Sequence, residues 1–276
     1  MVIHIHAIKK EKESRLLSFF HMLMRFYKPP YDDSFVATIQ QTMHKIFLVL
    51  ALVLAFVSCK KEKRDCPSTT EQTYNLAGFD RISAGETFTL SVKQGAAFSI
   101  KAKGCSNDLN DLQVSVEQNG TLVIRYNNYE NDRYRVDFEM TLPILRSIHL
   151  SGAATGNVAG FAQQATHLNT VLSGTAKCTV DQMPGLVDAD LSGTSELNLT
   201  GPATDIIAHL SGNSKLNAYP ATVDDADIYT SGTAKAYVLA QKSLVALASG
   251  DSRIYYKGNP ITVSIEQSGT AKVIKE

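Results

Sequence analysis

Leu191-Ser-Gly-Thr-Ser-Glu-Leu-Asn-Leu199 and Leu210-Ser-Gly-Asn-Ser-Lys-Leu-Asn-Ala218 begin 19 residues apart and follow one pattern. In both, an aliphatic residue precedes Ser-Gly, two small residues follow it, and apolar residues then alternate with polar ones. The dipeptide recurs every 18–22 residues, with its serines at Ser151, Ser173, Ser192, Ser211, Ser231, Ser249 and Ser268. A period near 20 residues indicates a stack of equivalent units, each too small to bury its own apolar side.

Each unit contains two short strands joined at the Ser-Gly corner. Apolar side chains stand one, three and five residues before the serine, as in Val187, Ala189 and Leu191, with polar side chains between them. This period of two is typical of a strand with one buried face. After the corner, a second strand turns Leu197 and Leu199 inward. The glycine suits a sharp corner because such a corner needs a positive φ angle or a close backbone approach.

Stacking such units about 4.8 Å apart pairs each strand with its equivalents above and below. We therefore predict an all-β fold, a single-stranded, right-handed parallel β-helix (β-solenoid) with coils of about 19 residues. The seven corners would span about 29 Å, and their serine hydroxyls are placed to form a ladder of hydrogen bonds. A closed barrel or a propeller is the alternative, but propeller blades need roughly 40 residues each. A β-sandwich would not repeat one corner dipeptide.

A signal segment precedes the repeats. Met43-His-Lys leads into twelve apolar residues, 46–57, a length typical of a signal-peptide core and too short to span a bilayer comfortably. Phe56-Val-Ser-Cys59 resembles a bacterial lipobox, in which the cysteine thiol receives diacylglycerol. We therefore predict a lipoprotein signal peptide over residues 43–58, lipid attachment at Cys59 and a membrane as partner through the attached chains.

The remaining N-terminal residues divide into two segments. Residues 1–42 show no repeat and no strand periodicity, and we interpret them as an over-extended start or a non-structured leader. Residues 59–73 are polar and have few side chains that could pack, which predicts a flexible tether. The predicted solenoid domain covers residues 74–276, with less regular strands that extend or cap the stack over 74–145 and the Ser-Gly repeats over 146–276.

The repeated words Leu-Ser-Gly-Thr-(Ala/Ser) and Leu-Ser-Gly-Asn-Ser, with the strand that begins at Phe79-Asp-Arg-Ile82, resemble the putative auto-transporter adhesin, head GIN domain family over about residues 75–276. The resemblance implies an exported, often lipid-anchored protein built as a parallel β-helical stack, and it brings no catalytic motif. The family more commonly has Ser-Gly-Ala-Gly, whereas this chain has Thr, Asn or Asp third and Ala or Ser fourth. That departure argues against any ligand contact that depends on the family's glycine.

The composition excludes some function classes. Basic and acidic residues number 27 each, so the chain lacks the positive charge typical of nucleic-acid binding. No Gly-x-Ser-x-Gly, His-Glu-x-x-His, phosphate loop or dinucleotide fingerprint occurs, and we predict neither a cofactor nor a metal. Cys178 stands where other repeats have Leu or Ile and is interpreted as a small core residue. Export would permit a disulfide between Cys66 and Cys105, and the sequence leaves that pairing open.

Two columns of outward side chains are candidate catalytic or ligand-facing groups. Asp188 and Asp190 point outward on one strand, His209 falls in the Asp190 column one coil later, and Asp227 falls in the Asp188 column one coil further. Lyases and hydrolases of acidic polysaccharides that are parallel β-helices use acidic side chains from adjacent coils, with calcium or as an acid–base pair. Because Ile207 interrupts the acidic column and the turns are short, we expect a flat, solvated face instead.

A mainly basic stripe follows the corners. The position four residues after the serine holds, coil by coil, Thr155, Lys177, Glu196, Lys215, Lys235, Arg253 and Lys272. Such a stripe suits an anionic glycan or lipid headgroups. Lysine on a strand also protects β-surfaces against aggregation, and we favour that interpretation.

The sequence thus predicts an exported protein that is lipid-anchored at the outer membrane, on its periplasmic or cell-surface face. Its β-solenoid presents a surface for adhesion or for binding a glycan or an envelope protein, without catalysis. The alternative function is a polysaccharide lyase or hydrolase of the parallel β-helix type.

Overall fold

The computed structural model describes residues 65–130, 132–161, 167–182 and 185–276, all within one compact unit that spans residues 63–276. The predicted signal peptide, Cys59 and residues 1–42 lie outside the described residues. The elements are β1 (Thr69–Tyr74), β2 (Arg81–Ala84), β3 (Thr89–Gln94), β4 (Ser99–Cys105), α1 (Ser106–Asn110), β5 (Leu112–Val116), β6 (Thr121–Tyr126), β7 (Asp137–Leu142), β8 (Ser147–Leu150), β9 (Thr155–Ala159), β10 (His167–Leu172), β11 (Lys177–Asp181), β12 (Leu186–Leu191), β13 (Glu196–Leu199), β14 (Ala203–Leu210), β15 (Lys215–Thr230), β16 (Lys235–Ala248), β17 (Arg253–Lys257), β18 (Thr262–Gln267) and β19 (Lys272–Lys275). Over these ranges, no helix has the length and apolar character needed to cross a membrane.

The strands form two facing layers. Layer 1 contains the strands that lead into the corners, in the spatial order β5, β6, β2, β8, β10, β12, β14, the second halves of β15 and β16, and β18. Layer 2 contains the strands that leave them, in the order β1, β4, β7, β3, β9, β11, β13, the first halves of β15 and β16, β17 and β19. From coil to coil the repeats pair in parallel, so that Leu191 lies beside Leu172 on one side and Leu210 on the other. The predicted β-solenoid is confirmed.

Each Ser-Gly corner requires its glycine. The seven corner glycines adopt φ angles of 63–72°. A Cβ on Gly193 would lie 2.6 Å from the carbonyl oxygen of Gly174. That oxygen accepts hydrogen bonds from the Thr194 backbone N–H at 2.7 Å and from the Thr194 hydroxyl at 3.2 Å. Threonine in the third position therefore helps to bind one corner to the next.

The inward side chains of both layers form one continuous core. Leu191 and Leu210 are each 2% exposed and lie in register, as predicted. Cys178 occupies an inward position of β11, in register with Leu197, and is a free, buried thiol. Burial raises the pKa of this thiol to about 12, so Cys178 serves as a small core residue.

The coil formed by β18 and β19 departs from the predicted burial. Val263 and Ile265 occupy inward positions but are 43% and 40% exposed. Their partners one coil away, Leu244 and Ala246, are fully buried. The difference arises because no described coil covers β18.

A coil without Ser-Gly lies beside the first repeat. β2 pairs with β8 and β3 pairs with β9, both in parallel. This register places Gly85-Glu86 next to Ser151-Gly152, and the Ala153 backbone N–H donates to the Glu86 oxygen at 2.7 Å. Glu86 adopts a φ of 56° where the repeats have glycine. This corner therefore has the same backbone shape as the Ser-Gly corners but a different sequence.

The other N-terminal strands cap this end of the stack. β6 and β7 pair in parallel with β2 and β3, so the coil of β2 and β3 lies between two coils that follow it in the chain. β4 then joins β7, β5 joins β6, and β1 joins β4, all antiparallel. The strands of the less regular region thus both extend and cap the solenoid.

A disulfide fastens the chain to this cap. It joins Cys66 to Cys105, whose Cα atoms are 5.6 Å apart. The sequence alone leaves this pairing open. Residues 69–73, which the sequence assigns to the flexible tether, belong to β1 and pair with β4. The tether therefore ends earlier than predicted, because pairing and the disulfide hold its C-terminal part on the cap.

Candidate functional site

The outward column that contains Asp190 forms on layer 1 as the repeat predicts. Asp190 is in register with His209, and His209 is in register with Tyr229. The rings of His209 and Tyr229 stack with centroids 4.6 Å apart and an interplanar angle of 14°. Because the rings stack along the solenoid axis, their edges and polar tips face outward.

The neighbouring column holds Asp188, Ile207 and Asp227 in consecutive coils. Along β12, the Cα atoms of Asp188 and Asp190 are about 7 Å apart, and both side chains stand on the outer face of the strand. Asp190 and His209 are exposed. In the described part of the chain, no cluster of three or more His, Cys, Asp or Glu side chains is placed to hold a metal ion.

An open groove of about 620 Å³ runs along the edge of layer 1 beside the corners, and we call it the corner groove. Its lining includes the outward column Asp190, His209, Tyr229, Leu247 and Glu266 and the corner serines Ser192, Ser211, Ser231, Ser249 and Ser268. Asp188 and Asp227 do not line it. The sequence predicts a flat face here. The structure differs because the short serine side chains at the corners lie next to larger side chains two residues earlier, and the difference in size repeats in every coil.

The serine hydroxyls of the corner groove donate hydrogen bonds into the stack. Ser211 Oγ donates to the Leu191 carbonyl at 3.4 Å, and Ser249 Oγ donates to the Thr230 carbonyl at 3.3 Å. The predicted ladder thus forms between serines and backbone carbonyls, not between serines. A hydroxyl has one hydrogen and two lone pairs, so a serine that donates to the stack presents acceptor lone pairs to a ligand.

The predicted mainly basic stripe lies in register on the outer face of layer 2, through Thr155, Lys177, Glu196, Lys215, Lys235, Arg253 and Lys272. Glu196 partly neutralises the charge of its two neighbours in the stripe. One of its carboxylate oxygens lies 3.9 Å from Lys177 Nζ and the other lies 3.5 Å from Lys215 Nζ. Arg253 is 2.8 Å from Asp251 at its own corner. The last three members are all basic and follow one another without an acidic neighbour in the column.

An aromatic cluster beside the stripe was not singled out from the sequence. Tyr237 and Tyr255 stack with centroids 4.9 Å apart and an angle of 6°, and Tyr219 meets Tyr237 edge-on at 5.5 Å. Lys257 Nζ lies 4.3 Å from the Tyr219 ring centre. Burial, together with a 2.9 Å hydrogen bond to Glu276, raises the pKa of Tyr219. The sequence signal for this cluster is the recurrence of tyrosine at one equivalent position, in Tyr237 and Tyr255, with Tyr219 two residues further along its own repeat.

The outer faces of the two layers differ in charge. From β12 onward, layer 1 carries the carboxylates of Asp188, Asp190, Asp205, Asp224, Asp225, Asp227 and Glu266. Lys242 lies among them, 2.8 Å from Asp224. Layer 2 carries the mainly basic stripe over the same coils. The corner groove therefore lies on the acidic face.

Comparison with known proteins identifies the kind of domain. The family model described as "Putative auto-transporter adhesin, head GIN domain" matches residues 78–260. These residues contain the coil of β2 and β3, the capping strands β4 to β7 and six of the seven Ser-Gly corners. Among curated proteins, none matches the chain.

Several solved structures have the same fold. A putative adhesin from Bacteroides fragilis has a TM-score of 0.67 and 17% identity, over 76% of this chain and 98% of the other. A putative lipid binding protein from Parabacteroides distasonis has a TM-score of 0.62 and 14% identity, over 76% and 97%. A putative adhesin from Parabacteroides merdae has a TM-score of 0.55 and 14% identity over the same shares. At these identities the likeness is one of fold.

Proposed function

Because the chain belongs to the putative auto-transporter adhesin, head GIN domain family, we propose that it is an exported, lipid-anchored protein of the cell envelope. It presents the outer faces of its β-solenoid for adhesion or for binding a glycan or an envelope protein, and it carries out no catalysis. The corner groove is the observation that carries this proposal, since it is continuous over several coils, open to solvent and lined by both apolar and hydrogen-bonding side chains.

Lipid attachment at Cys59 is part of this proposal. The twelve-residue apolar segment and the lipobox-like Phe56-Val-Ser-Cys59 support it. Two or more acyl chains on one cysteine give stable anchoring, since each buried methylene contributes about 0.8 kcal/mol. The tether and the Cys66–Cys105 disulfide would then hold the capped end of the solenoid near the bilayer, so that the repeats extend away from it.

Mass spectrometry of the membrane-extracted protein is expected to show a mature chain that begins at Cys59 and carries added fatty acyl mass. Cys59→Ser should abolish the added mass and leave the protein unprocessed or released from the membrane. Cys178→Ser is the matched control, because Cys178 is buried in the core and its loss should leave the acyl mass unchanged. A mature protein that keeps residues 1–58 without acyl mass would rule out the anchor.

The absence of catalysis is supported by the geometry around Asp190. A general acid or base works on a substrate held in one reactive pose within hydrogen-bond reach. Asp190 and His209 are exposed, and Asp188 lies outside the corner groove. An open groove binds a chain along its length but does not hold one scissile bond in a single pose against an acid and a base.

The purified chain is expected to bind glycans on an array and to leave acidic polysaccharides at their original length after incubation, as measured by size-exclusion chromatography. Asp190→Asn should weaken binding in part, because it removes one charge among many contacts, without changing polymer length. Reproducible cleavage by the wild type that Asp190→Asn abolishes would show instead that the protein is a polysaccharide-active enzyme. Absence of binding to any glycan or envelope component would contradict the adhesive function.

A further inference from the structure

The corner groove is rich in hydrogen-bond acceptors. The carboxylates of Asp190 and Glu266 lie towards its two ends, and the hydroxyl oxygens of its serines from Ser192 to Ser249 lie 3.3–3.5 Å from backbone carbonyl oxygens of the stack. Tyr229, His209 and the Gln267 amide add groups in the lining that can donate. A ligand that satisfies this lining must therefore supply donors.

The groove has the dimensions of an extended chain. Asp190 and Glu266 are separated by four coil steps, about 19 Å at the spacing of neighbouring strands. Its volume of about 620 Å³ lies within the range of ligand sites, roughly 300–1,000 Å³. A compact ligand would contact only one or two coils, whereas a linear one meets the repeated serines one after another.

The middle of the groove adds an apolar strip. The ring edges of His209 and Tyr229 and the side chain of Leu247 form three consecutive steps of the outward column. They lie between the two carboxylates, so that a ligand covering the strip reaches Asp190 on one side and Glu266 on the other. Such a ligand needs apolar C–H surface in its middle as well as donors along its length.

We propose that the corner groove binds a linear oligosaccharide of neutral or amino sugars, laid along the solenoid axis over about five coils. This assignment rests on the proposed adhesive function and names its site and ligand class. Sugar hydroxyls and ammonium groups donate to the serine and carboxylate oxygens, while the C–H surface of the rings covers the apolar strip. Charge-assisted hydrogen bonds to the two carboxylates are the strongest of these contacts.

The charge of the surrounding face excludes acidic glycans. Asp188, Asp205, Asp225 and Asp227 flank the groove on layer 1. A uronate or sulfate in the groove would meet the carboxylates of Asp190 and Glu266 within this acidic face, and like charges brought together at a binding surface are strongly unfavourable. The mainly basic stripe, which suits anionic ligands, lies on the other layer.

Binding to tetrasaccharides tests the proposal. The full chain, purified in detergent, is titrated by isothermal calorimetry with glucosamine tetramer, cellotetraose and tetragalacturonate. We expect the first two to bind and tetragalacturonate to bind at least about tenfold more weakly. Affinity for glucosamine tetramer should fall with rising salt, whereas affinity for cellotetraose should change little.

Two pairs of variants localise the site. Leu247→Arg should abolish binding, because the side chain fills the apolar strip, whereas Val245→Arg places the same group outside the groove on the same strand and should leave binding unchanged. Asp190→Asn should lower the affinity for glucosamine tetramer about tenfold. Asp205→Asn should leave that affinity unchanged. Circular dichroism confirms that all four variants are folded.

Three outcomes would overturn the assignment. Binding of tetragalacturonate that is tighter than that of the other two, that Leu247→Arg leaves intact and that Lys235→Glu removes would move the ligand to layer 2 and leave the adhesive function standing. A lysine-rich peptide that binds more tightly than every tetrasaccharide and is lost in Leu247→Arg would make the groove a peptide site. Binding of the whole chain to envelope material without any affinity for these tetrasaccharides would refute the ligand class but not adhesion.

Discussion

Gly193→Ala is expected to lower the free energy of unfolding of the solenoid by roughly 2–5 kcal/mol, of which about 1–2 kcal/mol is left-handed backbone strain and about 1–3 kcal/mol is steric overlap. Gly193 has a φ of 71°, and an added Cβ would lie 2.6 Å from the Gly174 oxygen and 3.1 Å from its nitrogen. Both contacts are to backbone, which cannot rotate away. The coils must therefore separate, and the Thr194 N–H to Gly174 O bond of 2.7 Å lengthens.

Gly78→Ala is the control that separates backbone strain from steric overlap between coils. Gly78 has a φ of 79°, but no atom lies within 4 Å of an added Cβ. This variant should lose only the strain, about 1–2 kcal/mol. Urea unfolding followed by circular dichroism measures both variants under the same conditions. Equal losses in the two variants would mean that the corner is not packed against its neighbour as the structure shows.

The repeated corners could be predicted because one physical requirement selects one residue. A positive φ and a backbone atom 2.6–3.0 Å from the position of a Cβ leave glycine as the residue that fits, so the requirement is visible in the sequence at each Ser-Gly. The coil of β2 and β3 has the same corner but fills it with Glu86 at a φ of 56°. That corner has Gly85 one position earlier and no Ser-Gly dipeptide, so the repeat in the sequence does not reveal it.

Chain order conceals the arrangement of the capped end. The sequence predicts strands throughout the region, but consecutive strands of a solenoid are expected to stack consecutively. β6 and β7 instead pass to the far side of β2 and β3, where β4 pairs antiparallel with β7 and β5 pairs antiparallel with β6. Period-two alternation gives the buried face of each strand but carries no information about its partner.

The candidate site was predictable in its columns and not in its shape. The alignment of repeats places Asp190 and His209 in one column, and the register confirms it. The groove forms because each corner serine is shorter than the side chain two residues before it. This difference recurs from coil to coil, up to Leu247 and Glu266. Because charged residues drew attention to Asp188 and Asp227, the sequence interpretation included two side chains that do not line the groove.

Leu210→Ala is expected to lower the free energy of unfolding by roughly 2–5 kcal/mol, the range for leucine-to-alanine changes in closed cores. Leu210 is 2% exposed and lies between Leu191 in one neighbouring coil and Thr230 in the other. Backbone hydrogen bonds fix the spacing of the coils, since Ser211 N–H donates to the Leu191 oxygen at 2.9 Å and Ser231 N–H donates to the Leu210 oxygen at 2.9 Å. The walls cannot close on the space left by the side chain.

Leu239→Ala is the matched control for this core position. Leu239 lies on β16 with its side chain on the outer face of layer 2, beside Lys257, and is only half-buried. Its truncation leaves no enclosed space, so a loss within about 1 kcal/mol is expected. Thermal and urea unfolding with the Cys66–Cys105 disulfide intact compare the two variants. If Leu210→Ala cost no more than Leu239→Ala, the leucine column would not be buried between coils, and neither the stacked core nor the groove built on its outer side would stand.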